Sequence, residues 1–173
     1  MPDKTEIITI RVPKFLKNSL EERSKKHGVP LNLTINKILT KDVEWDEHIT
    51  EMRWVYFDPA TIREIFSHLN ESQIKDIAKQ TKHVVISAIK FIYEHPTLEN
   101  TVDFIESWFK GSNTSFRHIK NKNSHKFIVN HDMGKNWSIF AIMTTNEFLS
   151  ELGFIQTNTS VENKSYKFEI SSQ

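Results

Sequence analysis

Residues 6–30, EIITIRVPKFLKNSLEERSKKHGVP, decide how this chain is read. Their first half alternates. Ile8, Ile10 and Val12 fall on one side of an extended backbone and Ile7, Thr9 and Arg11 on the other, because successive side chains of a strand point to opposite faces. Pro13 ends the alternation, and the period becomes helical: Leu16 and Leu20 stand one turn apart, with Phe15 alongside and polar residues elsewhere. A helix is predicted from about Lys14 to His27, stopped by Gly28, since glycine accepts the left-handed conformation at a helix C-terminus. A lone strand has unpaired edges, so this one needs a partner.

Downstream, VPLNLTINKILTKDVEW carries Leu31, Ile35, Ile38, Leu39 and Val43 on one helical stripe. The first unit is therefore strand, helix, helix over residues 1–46. Roughly 45 residues of this kind bury too little apolar surface to fold alone, so dimerisation is the expected remedy. Residues 47–57 are expected to connect it to a second unit, with Trp54, Tyr56 and Phe57 as an aromatic cluster assigned to a core or a dimer interface.

The second unit, residues 58–173, opens on Asp58 and Pro59, a helix cap followed by a proline where its missing N–H costs nothing. A long amphipathic helix is expected to follow, with Ile74, Ile77, Ala78, Val84, Val85, Ala88, Ile89 and Ile92 in register up to Pro96. Leu98, Val102, Ile105, Trp108 and Phe109 form another helical stripe ending at Gly111. SFRHIKN and HKFIVNH then read as one hairpin. GKNWSIFAIMTTNEFLSELG reads as a helix, and FIQTNTSVENKSYKFEI as a second hairpin with Tyr166, Phe168 and Ile170 on one side. The fold class predicted is α+β: a small N-terminal module followed by a helix-rich α+β domain with two β-hairpins.

Composition narrows the function. With 38% hydrophobic and 26% charged residues, twelve Phe and four Trp, the 173-residue chain has the material of a globular protein. Its net charge of +1 announces neither a nucleic acid nor a membrane partner. The charge is unevenly spread, however: Lys110, Arg117, Lys120, Lys122, Lys126 and Lys135 face a single acid, Asp132. Arg117, Lys120, Lys122 and Lys126, interleaved with Phe116 and Phe127, make a candidate second nucleic-acid or anion patch, weighed against an ordinary solvated hairpin. With no cysteine, disulfides, thiolate metal sites and cysteine nucleophiles are excluded. Neither a signal-peptide core nor a run of about 18 apolar residues occurs, so a soluble, cytoplasmic protein is expected.

Catalytic and metal readings find little support. NHDMGKNW, residues 130–137, juxtaposes His131 and Asp132, but Asp132 is expected to cap the following helix, and no nucleophile, Gly-rich loop or cofactor motif stands at a diagnostic spacing. The expectation is a non-enzyme without cofactor. His118, His125 and His131 invite a metal, but His125 and His131 on one strand face would lie about 20 Å apart, too far to share an ion.

ITIRVPKFLKNSLEERSKKHGVPLNLTINKIL, within residues 5–44, resembles the ribbon-helix-helix fold of the Arc, MetJ and CopG repressors, in which a strand ending in Arg-hydrophobic-Pro precedes two helices joined at a glycine. The resemblance covers a quarter of the chain. It implies a homodimer whose two N-terminal strands pair antiparallel and enter the major groove of double-stranded DNA, and hence a sequence-specific, nucleoid-associated transcriptional regulator. Carried over by position, Ile7, Thr9 and Arg11 would read bases: Arg11 by a bidentate bond to guanine, Thr9 by donating or accepting, and Ile7, in place of the usual polar residue, against a thymine methyl. Asn32 would help the second helix's N-terminus hold a phosphate, whereas Pro30 stands where Ser or Thr is common and removes a donor. Lys4 and Lys14 would add backbone charge. The C-terminal domain would then sense an effector, drive oligomerisation or bind a partner. The alternatives are an antitoxin-like interaction protein whose C-terminal domain grips a protein, and a C-terminal nucleic-acid binder using the basic hairpin 110–135.

Overall fold

The structure, a computed structural model, describes residues 5–172 and divides into two compact units, one up to Val43 and one from Glu44 onward.

In the first unit residues 5–13 form no regular element, and α1 (Lys14–His27) and α2 (Leu31–Lys41) follow. The expected N-terminal strand over Ile7–Val12 is thus not a strand within this chain. Every strand among the described residues lies between Ser115 and Ser172. A β-ladder is made of hydrogen bonds between strands, so without a partner the alternating segment has nothing to register against. The glycine turn forms as the sequence implies. Gly28 closes α1 at φ 64°, its N–H donating to Lys25 O at 3.1 Å and that of Val29 to Ser24 O at 3.1 Å.

Helical backbone continues past α2 through a π-helical turn (Asp42–Asp46) into α3 (Glu47–Glu51). The residues expected to be a connector are therefore partly core. Ile49 is buried, and Met52 and Trp54 pack against the core of the second unit; Trp45, expected to close the first unit, is 2% exposed and belongs to that core too. Trp54 meets Trp45 edge-on at 6.1 Å and Trp108 at 5.7 Å, which settles its place as core, whereas Tyr56 and Phe57 are exposed. The second unit begins with these rings because large indoles bury where they find partners, irrespective of where the amphipathic pattern restarts.

Asp58 caps α4 (Pro59–Ser67), accepting from the amides of Ala60 and Thr61 at 3.0 Å. The single long helix expected here is two helices. α5 (Glu71–Tyr93) starts afresh at Asn70, whose side chain accepts from Gln73 N while the Gln73 side chain accepts from Asn70 N, a capping box. The β-branched HVVIS run sits inside α5 without a break. α6 (Leu98–Gly111) is capped by Thr97.

The sheet is antiparallel in the order β1-β2-β4-β3, from β1 (Ser115–Lys120), β2 (Ser124–Asn130), β3 (Phe154–Val161) and β4 (Ser165–Ser172). Two hairpins thus join through β2 and β4, the strands whose alternation is cleanest. Phe127, Val129, Tyr166, Phe168 and Ile170 all point to one face and are buried. α7 (Lys135–Glu151) packs on β3 and β4, α6 meets β1, and α5 lies against α6 and α7. Lys82 of α5 bridges Glu147 and Glu151 of α7 at 3.3 and 3.1 Å. The unit is a two-layer α+β sandwich, helices on one face of the sheet and solvent on the other.

Candidate nucleic-acid interface

In the first unit the side chains that sequence parity assigns to base reading are open. Ile7 is 97% exposed, and Thr9 and Arg11 are exposed as well. Ile8, Ile10 and Val12, which parity sends to the opposite face, are also exposed, so the segment has two bare faces within one chain. Lys14 opens α1 in solvent, and Lys4 lies outside the described residues. Pro30 is the residue before α2 and no side chain caps that helix. Asn32 is exposed, with its Oδ1 accepting from Leu33 N at 2.9 Å, so the amide is engaged locally at the helix start.

The interior of this unit is unusual for a folded helix pair. Its only buried side chains among the described residues are two hydroxyls, Ser24 and Thr34, 2.8 Å apart, with Ser24 Oγ also 2.8 Å from the Leu20 carbonyl. Ile7, Ile8, Ile10, Val12, Phe15, Leu16, Leu33, Ile38, Leu39 and Val43 are all exposed. Of the apolar stripe on α2, Leu31 and Ile35 are half-buried, while Ile38, Leu39 and Val43 stand exposed.

The basic hairpin is split by strand parity. Arg117 and Lys126 lie on the open sheet face, Arg117 opposite Ile128, and Lys126 opposite Ile119 and Glu169. Lys120 projects from the other face, opposite His125, and Lys122 belongs to the turn. Lys167 joins the open face, a cation the sequence reading missed, because its registry opposite Ile128 follows only from the β2–β4 pairing. The interleaved aromatics are elsewhere. Phe127 is fully buried, and Phe116 packs against the core and stands 5.2 Å from Phe109, so neither ring offers a stacking surface beside Arg117 and Lys126. Glu169 sits amid these cations, its carboxyl held below the usual range by the Ser124 hydroxyl and then by Asn158, which donates at 2.7 Å.

Strand pairing also brings together two of the three histidines. His118 lies flat on Phe127 at 4.5 Å, its Nδ1 hydrogen-bonded to Glu106 of α6 and its Nε2 3.0 Å from His125 Nδ1. Burial raises the Glu106 carboxyl, but hydrogen bonds from Lys110 and His118 outweigh it and hold it low. His125 is 5% exposed, and burial, then the neighbouring His118, pushes its imidazole below the ordinary value. Both nitrogens of His118 are spent in this chain, and no cluster of three or more His, Asp or Glu among the described residues is placed to hold a metal ion.

His131 lies past the end of β2 and serves another purpose. Its Nδ1 accepts from Met133 N at 3.1 Å, which puts the proton on Nε2, and Nε2 lies 2.7 Å from the fully buried Ser138 Oγ. Ser138 in turn donates to Glu162 O at 2.7 Å. The imidazole donates to the serine rather than accepting from it, an arrangement that ties the β2–α7 turn to the β3–β4 hairpin and does not activate a nucleophile. Asp132 does not cap α7, whose preceding residue is Gly134. Its carboxylate pairs with Lys164 at 3.1 Å and its carbonyl accepts from Arg63 Nε at 2.6 Å. No helix among the described residues is long and apolar enough to cross a membrane. Comparison with protein-family models, curated proteins and solved structures finds no match for this chain.

Proposed function

We propose that the first unit is half of a ribbon-helix-helix homodimer, and that the protein is a sequence-specific DNA-binding regulator whose second unit senses an effector or drives oligomerisation. The observation that carries this reading is the inverted burial of the first unit: two hydroxyls inside and ten large apolar side chains outside. At about 25 cal/mol per Å² of apolar surface, leaving so many side chains wet forfeits most of the drive to fold. A second copy offers the same stripe and the same unpaired segment. Antiparallel pairing of two Ile7–Val12 segments closes the ribbon, turns Ile8, Ile10 and Val12 onto the helices, and leaves Ile7, Thr9 and Arg11 facing out. Arg11 then reads guanine, Thr9 a neighbouring edge and Ile7 a thymine methyl, while Lys14 and the α2 N-terminus near Asn32 contact phosphate. No catalytic role or cofactor is part of this reading.

Selection of bound duplexes from random sequence tests it. A single preferred, near-palindromic site is expected, and Arg11→Ala should weaken that site by about 1–3 kcal/mol while the dimer stays folded. Unchanged affinity of Arg11→Ala for the selected site would overturn strand reading.

A further inference from the structure

The second unit carries an apolar stripe that its own core does not use. On α5, Ile77, Val84 and Phe91 are 38%, 52% and 55% exposed, although the neighbouring Ile74, Ala78, Val85, Ala88 and Ile89 are buried. The three are spaced by seven residues, the interval that keeps side chains on one side of a helix over several turns. Gln80 and Ser87 complete the seam between them, and the Phe91 ring meets that of His48 edge-on, 6.4 Å between ring centres.

We propose that α5 pairs with α5 of a second copy of this chain, antiparallel, about a two-fold axis at Val84. The stripe is symmetric about that residue, so Val84 meets its own copy and Ile77 meets Phe91 on both sides. Charge selects the direction. Asp76 and Lys90 are both exposed on the solvent-side edge of the seam, eight residues before and six residues after Val84. Antiparallel pairing sets Asp76 of each copy within about 3 Å axially of the other's Lys90, at 1.5 Å per residue, whereas parallel pairing sets like on like.

One such helix pair falls at or below the roughly 1,200 Å² that stable complexes bury, so free chains pair weakly. Chains already joined as a ribbon dimer pair more strongly, because tethering raises the effective concentration toward the millimolar range. The α5 contact exists without the ribbon and is reinforced by it.

The chain has no cysteine, so single thiols report the contact without background. Full-length Val84→Cys, under a mild oxidant, is expected to form a disulfide-linked dimer. Ile77→Cys alone should not, because in an antiparallel pair its copies stand about 21 Å apart, beyond disulfide reach. The double variant Ile77→Cys/Phe91→Cys should cross-link again. No cross-link at Val84, or Ile77→Cys cross-linking as well as Val84→Cys, overturns the proposal. Light scattering of Val84→Glu reads the ribbon separately: a dimer mass there upholds the ribbon whatever α5 does, and a monomer mass shows that the ribbon reading is the one that failed.

Discussion

Replacing Gly111 with alanine adds one methyl group where the structure has no room for it. Gly111 is the last residue of α6 and is buried, and a Cβ built on its backbone would stand 2.0 Å from Cδ1, 2.2 Å from Nε1 and 2.3 Å from Cγ of Trp45. Those distances lie more than an ångström inside van der Waals contact. The indole is 2% exposed and packed against Trp54 and Phe104, each 6.1 Å away between ring centres, so any displacement strikes other rings. Overpacking a core costs about 1–3 kcal/mol when the surroundings yield, and losing a buried tryptophan costs about 3–5 kcal/mol when they do not. Because ring atoms and not a flexible tip are struck, about 3 kcal/mol is expected, a fall of roughly 10 °C in Tm for a unit of this size.

A double-mutant cycle isolates the cause. Gly111 carries no positive φ, and away from the clash alanine is favoured over glycine in a helix by about 0.5–1 kcal/mol. In a Trp45→Leu background, where a narrower side chain turns aside, Gly111→Ala should therefore become neutral or stabilising. Thermal and urea unfolding of the four proteins read the coupling directly. Wild-type stability in Gly111→Ala, or an equal loss in both backgrounds, would refute the placement of Trp45 against Gly111, and with it the start of the second unit at Glu44.

Acid should weaken the second unit. His131, through burial, and His125, through burial and then its His118 neighbour, both have folded-state values below the unfolded one, so between those values the unfolded chain binds more protons. Their contribution is complete above the ordinary histidine value and is lost as pH falls through the folded values. The urea midpoint should drop from about pH 7.5 to about pH 5, and His131→Gln should flatten part of that drop; a midpoint independent of pH over this range would refute it. Asn70→Ala removes the capping box of α5 and should cost about 1 kcal/mol in urea unfolding, whereas an unchanged midpoint would argue that α4 and α5 are one helix. In the first unit of Val84→Glu chains, which keep only the proposed ribbon contact, Ile8→Glu should abolish the dimer while Ile7→Glu should leave its mass intact and weaken only DNA binding; equal effects of the two would deny the strand its parity.

What was legible in the sequence was whatever a local pattern decides. α1 ends at Gly28 because that residue alone there accepts φ 64° at no cost, and the hairpin strands announce themselves by alternation, so Phe127, Val129, Tyr166, Phe168 and Ile170 fall inward as their parity demands. The missed features depend on distant partners. Nothing near Trp45 in sequence signals that Gly111, sixty-six residues on, leaves a slot for its ring. Lys120 and Arg117 look equivalent as cations, yet the pleat sends them to opposite faces. The break at Asn70 was visible as an Asn with Gln three residues later, but the apolar period runs across it and hid it.

The same division explains why the two units differ in what a single chain displays. In the second, every strand finds its neighbour inside the chain, β2 on β4 closing the two hairpins into one sheet, and the aromatic interior follows. In the first, the local signals are satisfied, since the proline, the glycine turn and both helices form, while the alternating segment forms no ladder and ten large apolar side chains are exposed. On the proposed ribbon a second copy would supply both the paired strand and the cover, and a strand's alternation has a physical use where one of its faces is buried. Ile7 is the residue on which that reasoning bears hardest. It is 97% exposed, and under the proposed ribbon it would share a face with Thr9 and Arg11 and meet the methyl of a thymine there.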